Sequence, residues 1–228
     1  MTRLAIALLA LSVASLVAPT RGQADDSLEE LLERLDERAA QIKDLTARFI
    51  QEKHSILLRD PLVSKGRVWV LDDNVKWETK EPRYSLLLVS SRAAKLYDPE
   101  SKRLEVYPLS SGLAAIIGTP LPRFLRLKES FSIERAEPGK ESEQVVLTLT
   151  PLNEELAEHI ESITVWIDPK IPAATALEMV DPDGERTRIT FSKIELDQGL
   201  SEEDFELELP DDVLIEYPMG PIPENGGP

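Results

Sequence analysis

From Gly66 to Pro99 the chain is a succession of short apolar stretches broken by turn residues. Gly66-Arg67-Val68-Trp69-Val70 is followed by Val75-Lys76-Trp77-Glu78, then Pro82, Leu86-Leu87-Leu88-Val89 and Tyr97-Asp98-Pro99. Segments this short, bounded by turn formers such as Asp72-Asp73-Asn74, read as consecutive antiparallel strands. That commits the chain to a fold built on a sheet.

The same period of two runs through most of the chain beyond Pro99. Leu104 and Val106 alternate with Arg103, Glu105 and Tyr107; Val145, Leu147 and Leu149 alternate with Val146, Thr148 and Thr150. Ile163, Val165 and Ile167, then Leu177 and Met179, then Ile189 and Phe191, and finally Phe205, Leu207 and Leu209 repeat the pattern. Each is a strand with one apolar face. Asp98-Pro99, Pro138-Gly139, Asp168-Pro169 and Asp181-Pro182-Asp183-Gly184 mark turns between them. Thr46, Phe49 and Ile50 suit a further strand to about Leu57, although Phe49 also continues a helical stripe. The total is ten or eleven strands in an antiparallel meander.

Helices are scarce. Ser27-Leu28-Glu29-Glu30 forms a capping box, and Leu28, Leu31, Leu32, Leu35, Ala39 and Ile42 make one apolar stripe behind it. Ser110 to Gly118 reads as a short apolar helix with glycines near both ends, and Pro122 to Leu127 as another turn or two.

Residues 1–24 read as a leader. Arg3 opens it, Leu4 to Val17 is apolar, and Gly22-Gln23-Ala24 suits a signal peptidase. The apolar run is short of the roughly 20 residues a membrane span needs. Cleavage after Ala24 leaves one domain over 25–217 and a Pro/Gly-rich tail over 218–228, expected to be disordered. The chain has no cysteine, which removes disulfides, thiolate metal sites and lipid attachment at an N-terminal cysteine. Formal charge is −16, and −18 once Arg3 and Arg21 leave with the leader. A surface that acidic repels nucleic acid and anionic headgroups.

The strands outrun their cover. Ten strands at about 4.8 Å spacing make a sheet roughly 48 Å wide, against a strip of about 10 Å for each helix. The expected architecture is therefore mainly β: a curved antiparallel half-barrel with a helical lid and an apolar cavity between. An empty apolar cavity is costly and poorly wetted, so an apolar ligand is its natural occupant.

Several of these pieces, in this order, resemble the periplasmic outer-membrane lipoprotein carrier family (LolA-like). They are the N-terminal amphipathic helix, Phe49-Ile50-Gln51, Gly66-x-Val68-Trp69-Val70, Trp77 with Pro82, and Tyr97-Asp98-Pro99. Leu113 to Ile117, Leu149-Thr150-Pro151, Asp183-Gly184 and Phe205 near Leu209-Pro210 extend the likeness from about residue 27 to 215. The resemblance implies a carrier that receives lipoprotein acyl chains from an inner-membrane ABC transporter and passes them to an outer-membrane receptor. Receptors of that fold carry a lipidated N-terminal cysteine, so a chain without cysteine is similar to the soluble carrier. The family commonly has Arg-Pro in the turn before the second tryptophan, where the arginine helps hold the lid closed. Here Leu71-Asp72-Asp73-Asn74 stands in that turn, so the arginine is either missing or supplied by Arg67 or Arg83. Alternatives are a carrier of another envelope lipid or polyene, or a domain that senses lipid or lipoprotein.

The expected cavity wall is Phe49, Val68, Val75, Trp77, Leu87, Val89 and Tyr97 from the first half, with Leu147, Leu149, Val165, Met179 and Phe191 from the second. Leu113, Ile116 and Ile117 form the lid. Trp77 and Tyr97 read equally as plain core, while Trp69 and Trp166 fall on the other face of their strands. His54 and His159 sit in no catalytic or metal motif, and Asp181 to Gly184 lacks the glutamate of a calcium loop. The expectation is a periplasmic, monomeric binding protein with no catalysis, no cofactor, no metal and no nucleic acid partner.

Overall fold

The computed structural model describes residues 27–109, 119–136 and 143–220. The leader, the lid residues Leu113, Ile116 and Ile117, the Pro138-Gly139 turn and residues 221–228 lie outside them. Helix α1 (Leu28–Ala39) starts where the capping box places it. The Ser27 hydroxyl accepts from the Glu30 amide at 3.3 Å, and the Glu30 carboxylate accepts from the Ser27 amide at 3.1 Å. Leu31, Leu32, Leu35 and Ala39 form its buried stripe. The helix stops three residues earlier than the apolar spacing suggests, yet Ile42 still packs into the core from the turn after it.

The strands are β1 (Asp44–His54), β2 (Leu62–Leu71), β3 (Asn74–Glu81), β4 (Ser85–Val89), β5 (Ala93–Asp98) and β6 (Arg103–Pro108). After a connection holding the one-turn helix α2 (Phe124–Leu127) come β7 (Phe131–Ala136) and β8 (Val145–Pro151). A second one-turn helix, α3 (Glu154–Ala157), leads to β9 (Ser162–Ile167), β10 (Ala174–Val180) and β11 (Arg186–Leu196), with β12 (Leu214–Glu216) last. They make one open, curved twelve-stranded sheet in the order β12-β6-β5-β4-β3-β2-β1-β11-β10-β9-β8-β7. Two meanders, β1 to β6 and β7 to β11, are joined where β1 pairs antiparallel with β11. Register shifts in the β1–β11, β2–β3 and β9–β10 pairs supply bulges that bend the sheet.

The expected half-barrel is present, with two differences at its margins. Phe205 to Leu209 is not a strand: a 3₁₀ turn (Glu202–Phe205) opens it, and the chain then crosses the outer face as a strap. Leu207 and Val213 of this strap pack on a second apolar cluster of Ala93, Tyr97, Leu104 and Val106. Alternation alone does not distinguish a strap from a strand, because both present every second residue to the surface beneath. The other difference is the pair of edge strands β7 and β12, which carry too few apolar residues to stand out. β12 is also the one parallel partner, lying along β6.

Candidate functional site

Strand register decides which side chains share the concave face. Phe49 lies opposite both Gly66 and Phe191; Val68, Trp77 and Leu87 form a row across β2, β3 and β4; Leu147, Val165 and Leu177 form another across β8, β9 and β10. With α1, Leu121, Phe124 and Leu127, these residues belong to one continuous apolar core. Phe49, Val68, Val75, Trp77, Val89, Leu147, Leu149, Val165 and Phe191 are buried in it, while Leu87 and Met179 pack against it half-buried.

Tyr97 is not among them. Leu87 faces Leu96 across β4 and β5, so Tyr97 points to the opposite, convex side. There it is buried under the strap with Leu104 and Val106. The aspartate and proline after it suggested an ordinary sheet turn and gave no sign that β5 and β6 turn their apolar residues outward.

At the centre of the concave face stand three aromatic rings. Phe49 meets Trp77 edge-on, with centroids 4.7 Å apart and planes at 70°, and Phe191 lies 6.0 Å from Trp77 on its other side. Gly66 makes this cluster possible. A Cβ at that position would lie 1.9 Å from the Glu78 carbonyl oxygen and 2.8 Å from the Phe49 ring. The Trp77 indole Nε1 is buried and has no acceptor among the described residues. A buried donor without a partner is uncommon and costs free energy.

One end of the face is closed by the protein itself. Between α1, Pro122, Phe124 and the β9–β10 turn a void of only about 10 Å³ remains. Polar ties hold this plug. Asp36 of α1 accepts from the Phe124 and Leu125 amides, each at 2.8 Å, so a carboxylate from one helix caps the other. Arg38 donates to the Pro169 and Lys170 carbonyls at 2.6 and 3.1 Å, and Glu29 pairs with Lys128. Towards the other end, Leu87, Leu177, Met179 and Ile189 are only partly covered.

The charge expected in the β2–β3 turn is reversed. Asp73 of that turn binds Arg126 of α2 at 2.8 Å, so the arginine comes from the helical segment and the carboxylate from the turn. Neither sequence candidate for it reaches the helices. Arg83 binds Asp98 and Glu100 at 2.6 and 2.8 Å, and Arg67 lies on the convex face. Trp69 and Trp166 also face outward, each beside a cation: Lys76 at 5.8 Å and Arg188 at 4.4 Å from the ring centre. On the concave side, Tyr107 donates to Glu105 at 2.6 Å; that bond, with some burial, holds its phenol above the ordinary tyrosine range.

Comparison with known proteins agrees with this geometry. The family profile for "Outer membrane lipoprotein carrier protein LolA" matches residues 40–208. The outer-membrane lipoprotein carrier protein of Chromohalobacter salexigens is 25% identical over 162 residues, 67% of this chain and 71% of that one. That of Pseudomonas aeruginosa is 26% identical over 146 residues, 61% of this chain and 64% of that one. An uncharacterized conserved protein from Thermus thermophilus shares the fold, with a TM-score of 0.53 at 10% identity, covering 83% of this chain and 98% of that one. The protein is thus of the curved-sheet, apolar-face class. It belongs to the LolA family of outer membrane lipoprotein carrier proteins. Among the described residues no helix is long and apolar enough to cross a membrane.

Proposed function

We propose that this protein is a periplasmic carrier that shields the acyl chains of lipoproteins on its concave face while they pass from the inner to the outer membrane. It receives them from an inner-membrane ABC transporter, surrenders them to an outer-membrane receptor and performs no catalysis. The observation that carries this reading is the Phe49–Trp77–Phe191 cluster, flanked by partly covered aliphatic side chains and holding an indole N–H without an acceptor among the described residues. An acyl chain laid on Leu87, Leu177, Met179 and Ile189 would complete their burial. Each methylene removed from water is worth about 0.8 kcal/mol, so a sixteen-carbon chain would gain on the order of 12 kcal/mol. Cargo held that firmly does not escape into water, which is why such a protein needs partners for loading and unloading. An ester carbonyl at the head of the chain is the acceptor the Trp77 Nε1 lacks. The leader-like residues 1–24 favour an exported chain.

Native mass spectrometry of protein purified from the periplasm tests the reading. Co-purifying lipoprotein supports it, and free lipid or pigment in its place moves the cargo to another class. Protein that stays empty and ignores a fluorescent fatty acid ends it. Leu87→Glu and Met179→Glu, both at half-buried positions, are each expected to abolish acyl binding with the far-ultraviolet spectrum unchanged. Normal binding by both puts the cargo somewhere else on the molecule.

A further inference from the structure

The β1–β2 hairpin carries an exposed apolar tip that the carrier reading does not use. β1 pairs with β11 only as far as His54 opposite Arg186, so the turn beyond stands clear of the sheet. Its base is anchored: Glu185 accepts from the Ser55 hydroxyl at 2.6 Å and binds Lys53 at 3.0 Å. The Leu58 amide donates to the Ser55 carbonyl at 3.1 Å and closes the turn. On this fixed base Ile56 is 80% exposed, Leu57 86% and Leu62 58%, and Leu58 and Val63 are exposed with them. None of the five belongs to either apolar core.

The charge beside the tip is opposite to that of the whole molecule. The chain carries −16, yet residues 48–67 hold five basic and two acidic side chains, a local +3. A groove of about 460 Å³ runs along the convex face at this end of the sheet, and Arg48, Lys65, Arg67, Lys80 and Lys193 line it. Lys65 and Lys80 are matched by Glu81 and Glu78. Arg48, Arg67 and Lys193 have no carboxylate partner among the described residues. Arg48 and Arg67 sit directly opposite each other across β1 and β2, a like-charge pairing that disfavours the sheet unless an anion lies between them.

From this juxtaposition we infer that the hairpin docks the protein on an anionic bilayer surface, with Ile56, Leu57 and Leu58 entering the acyl boundary and the arginine pair engaging lipid phosphates. A protruding tip of consecutive aliphatic side chains suits insertion between lipids better than the broad complementary patch that a protein interface needs. Cations beside inserted apolar groups are the combination that binds anionic lipid surfaces. The partly covered Met179 and Ile189 lie at the same end of the sheet, so docking there would bring the open part of the concave face towards the membrane. The inference is independent of the interior site.

The test uses intact protein and vesicles of phosphatidylcholine, with or without a quarter phosphatidylglycerol. Because the chain has no cysteine, Leu57→Cys accepts a single environment-sensitive dye at the tip. Blue-shifted emission and co-flotation are expected with the anionic vesicles only, weakening as salt rises. Ile56→Ser/Leu57→Ser/Leu58→Ser should lower vesicle binding about tenfold and, separately, Arg48→Gln/Arg67→Gln about thirtyfold, the arginine pair at roughly 1 kcal/mol per cation. Leu87→Glu should leave it intact, which separates membrane docking from cargo binding. The inference fails if wild-type protein ignores anionic vesicles, or if the serine variant binds them undiminished. It also fails if the tip proves to be buried against a second copy or a protein partner instead.

Discussion

Single residues carry obligations that the amino-acid pattern hides. Asp44 is the one buried charged residue among those described, 2% exposed. It accepts from the Gln198, Gly199 and Leu200 amides at 2.7, 2.8 and 3.1 Å, and so holds the start of the strap to the start of β1. Asp44→Ala leaves those donors unmatched and is expected to cost about 3 kcal/mol in urea unfolding, with Asp44→Asn recovering part of it. Gly66→Ala is expected to cost about 2–3 kcal/mol, since its methyl group meets the Glu78 carbonyl and the Phe49 ring before either can move. Trp77→Phe keeps the aromatic bulk and deletes the N–H. Affinity for an acyl ester should fall about fivefold while affinity for a plain hydrocarbon chain holds, in line with about 1 kcal/mol for one hydrogen bond. An equal loss for both ligands would show that the indole nitrogen makes no contact. Spacing in the sequence puts Trp77 in line with the other apolar residues of its strand, whereas the close contact at Gly66 is set by the neighbouring strand and was not legible. Nor was Asp44, because its partners lie about 155 positions away in a loop.

At the level of elements, alternation located strands well and described their surroundings poorly. It identified most of the ladder, while the capping box and helical spacing marked α1. It also placed Phe49, Val68, Trp77, Leu87, Leu147, Val165, Met179 and Phe191 on one side, since a period of two fixes relative orientation within a strand. It could not say which side of β5 and β6 would be covered, because the strap that hides Tyr97 comes from a segment that reads as a strand itself. The strap is held at its far end by Lys102 and Asp212. The hydrogen bond from Lys102 depresses the Asp212 pKa, and the same bond raises that of Lys102. A carboxylate with a lowered folded pKa stabilises above its unfolded value and loses that contribution as pH falls through the folded one; the lysine's contribution is lost only in strong base. The strap should therefore loosen in acid, below about pH 4. Hydrogen exchange across residues 202–216, corrected for intrinsic rate, is expected to quicken there, and Asp212→Asn should bring the faster exchange to neutral pH.

For the whole molecule, scarcity of helix relative to sheet was the decisive property, and it was visible in the sequence. The structure adds how the shortage is met: α1 and α2 plug one end, the strap covers part of the convex side, and aliphatic residues near the other end remain partly open. A protein built this way should gain stability from its cargo by mass action. Acyl ligand at about 100 times its dissociation constant is expected to add about 2.7 kcal/mol, seen as a rise in melting temperature over delipidated protein. Leu87→Glu should show no rise.

The seam between β1 and β11 sets the order in which the fold can assemble. Strands β1 to β6 and β7 to β11 find their sequence neighbours locally, whereas the second edge of β1 must wait for β11, some 140 residues downstream. Until residues 186–196 arrive, the two halves are separate ribbons and share no concave face. The surface proposed for acyl chains therefore exists only in the finished fold, and a backbone cut between the halves should yield fragments that find each other again.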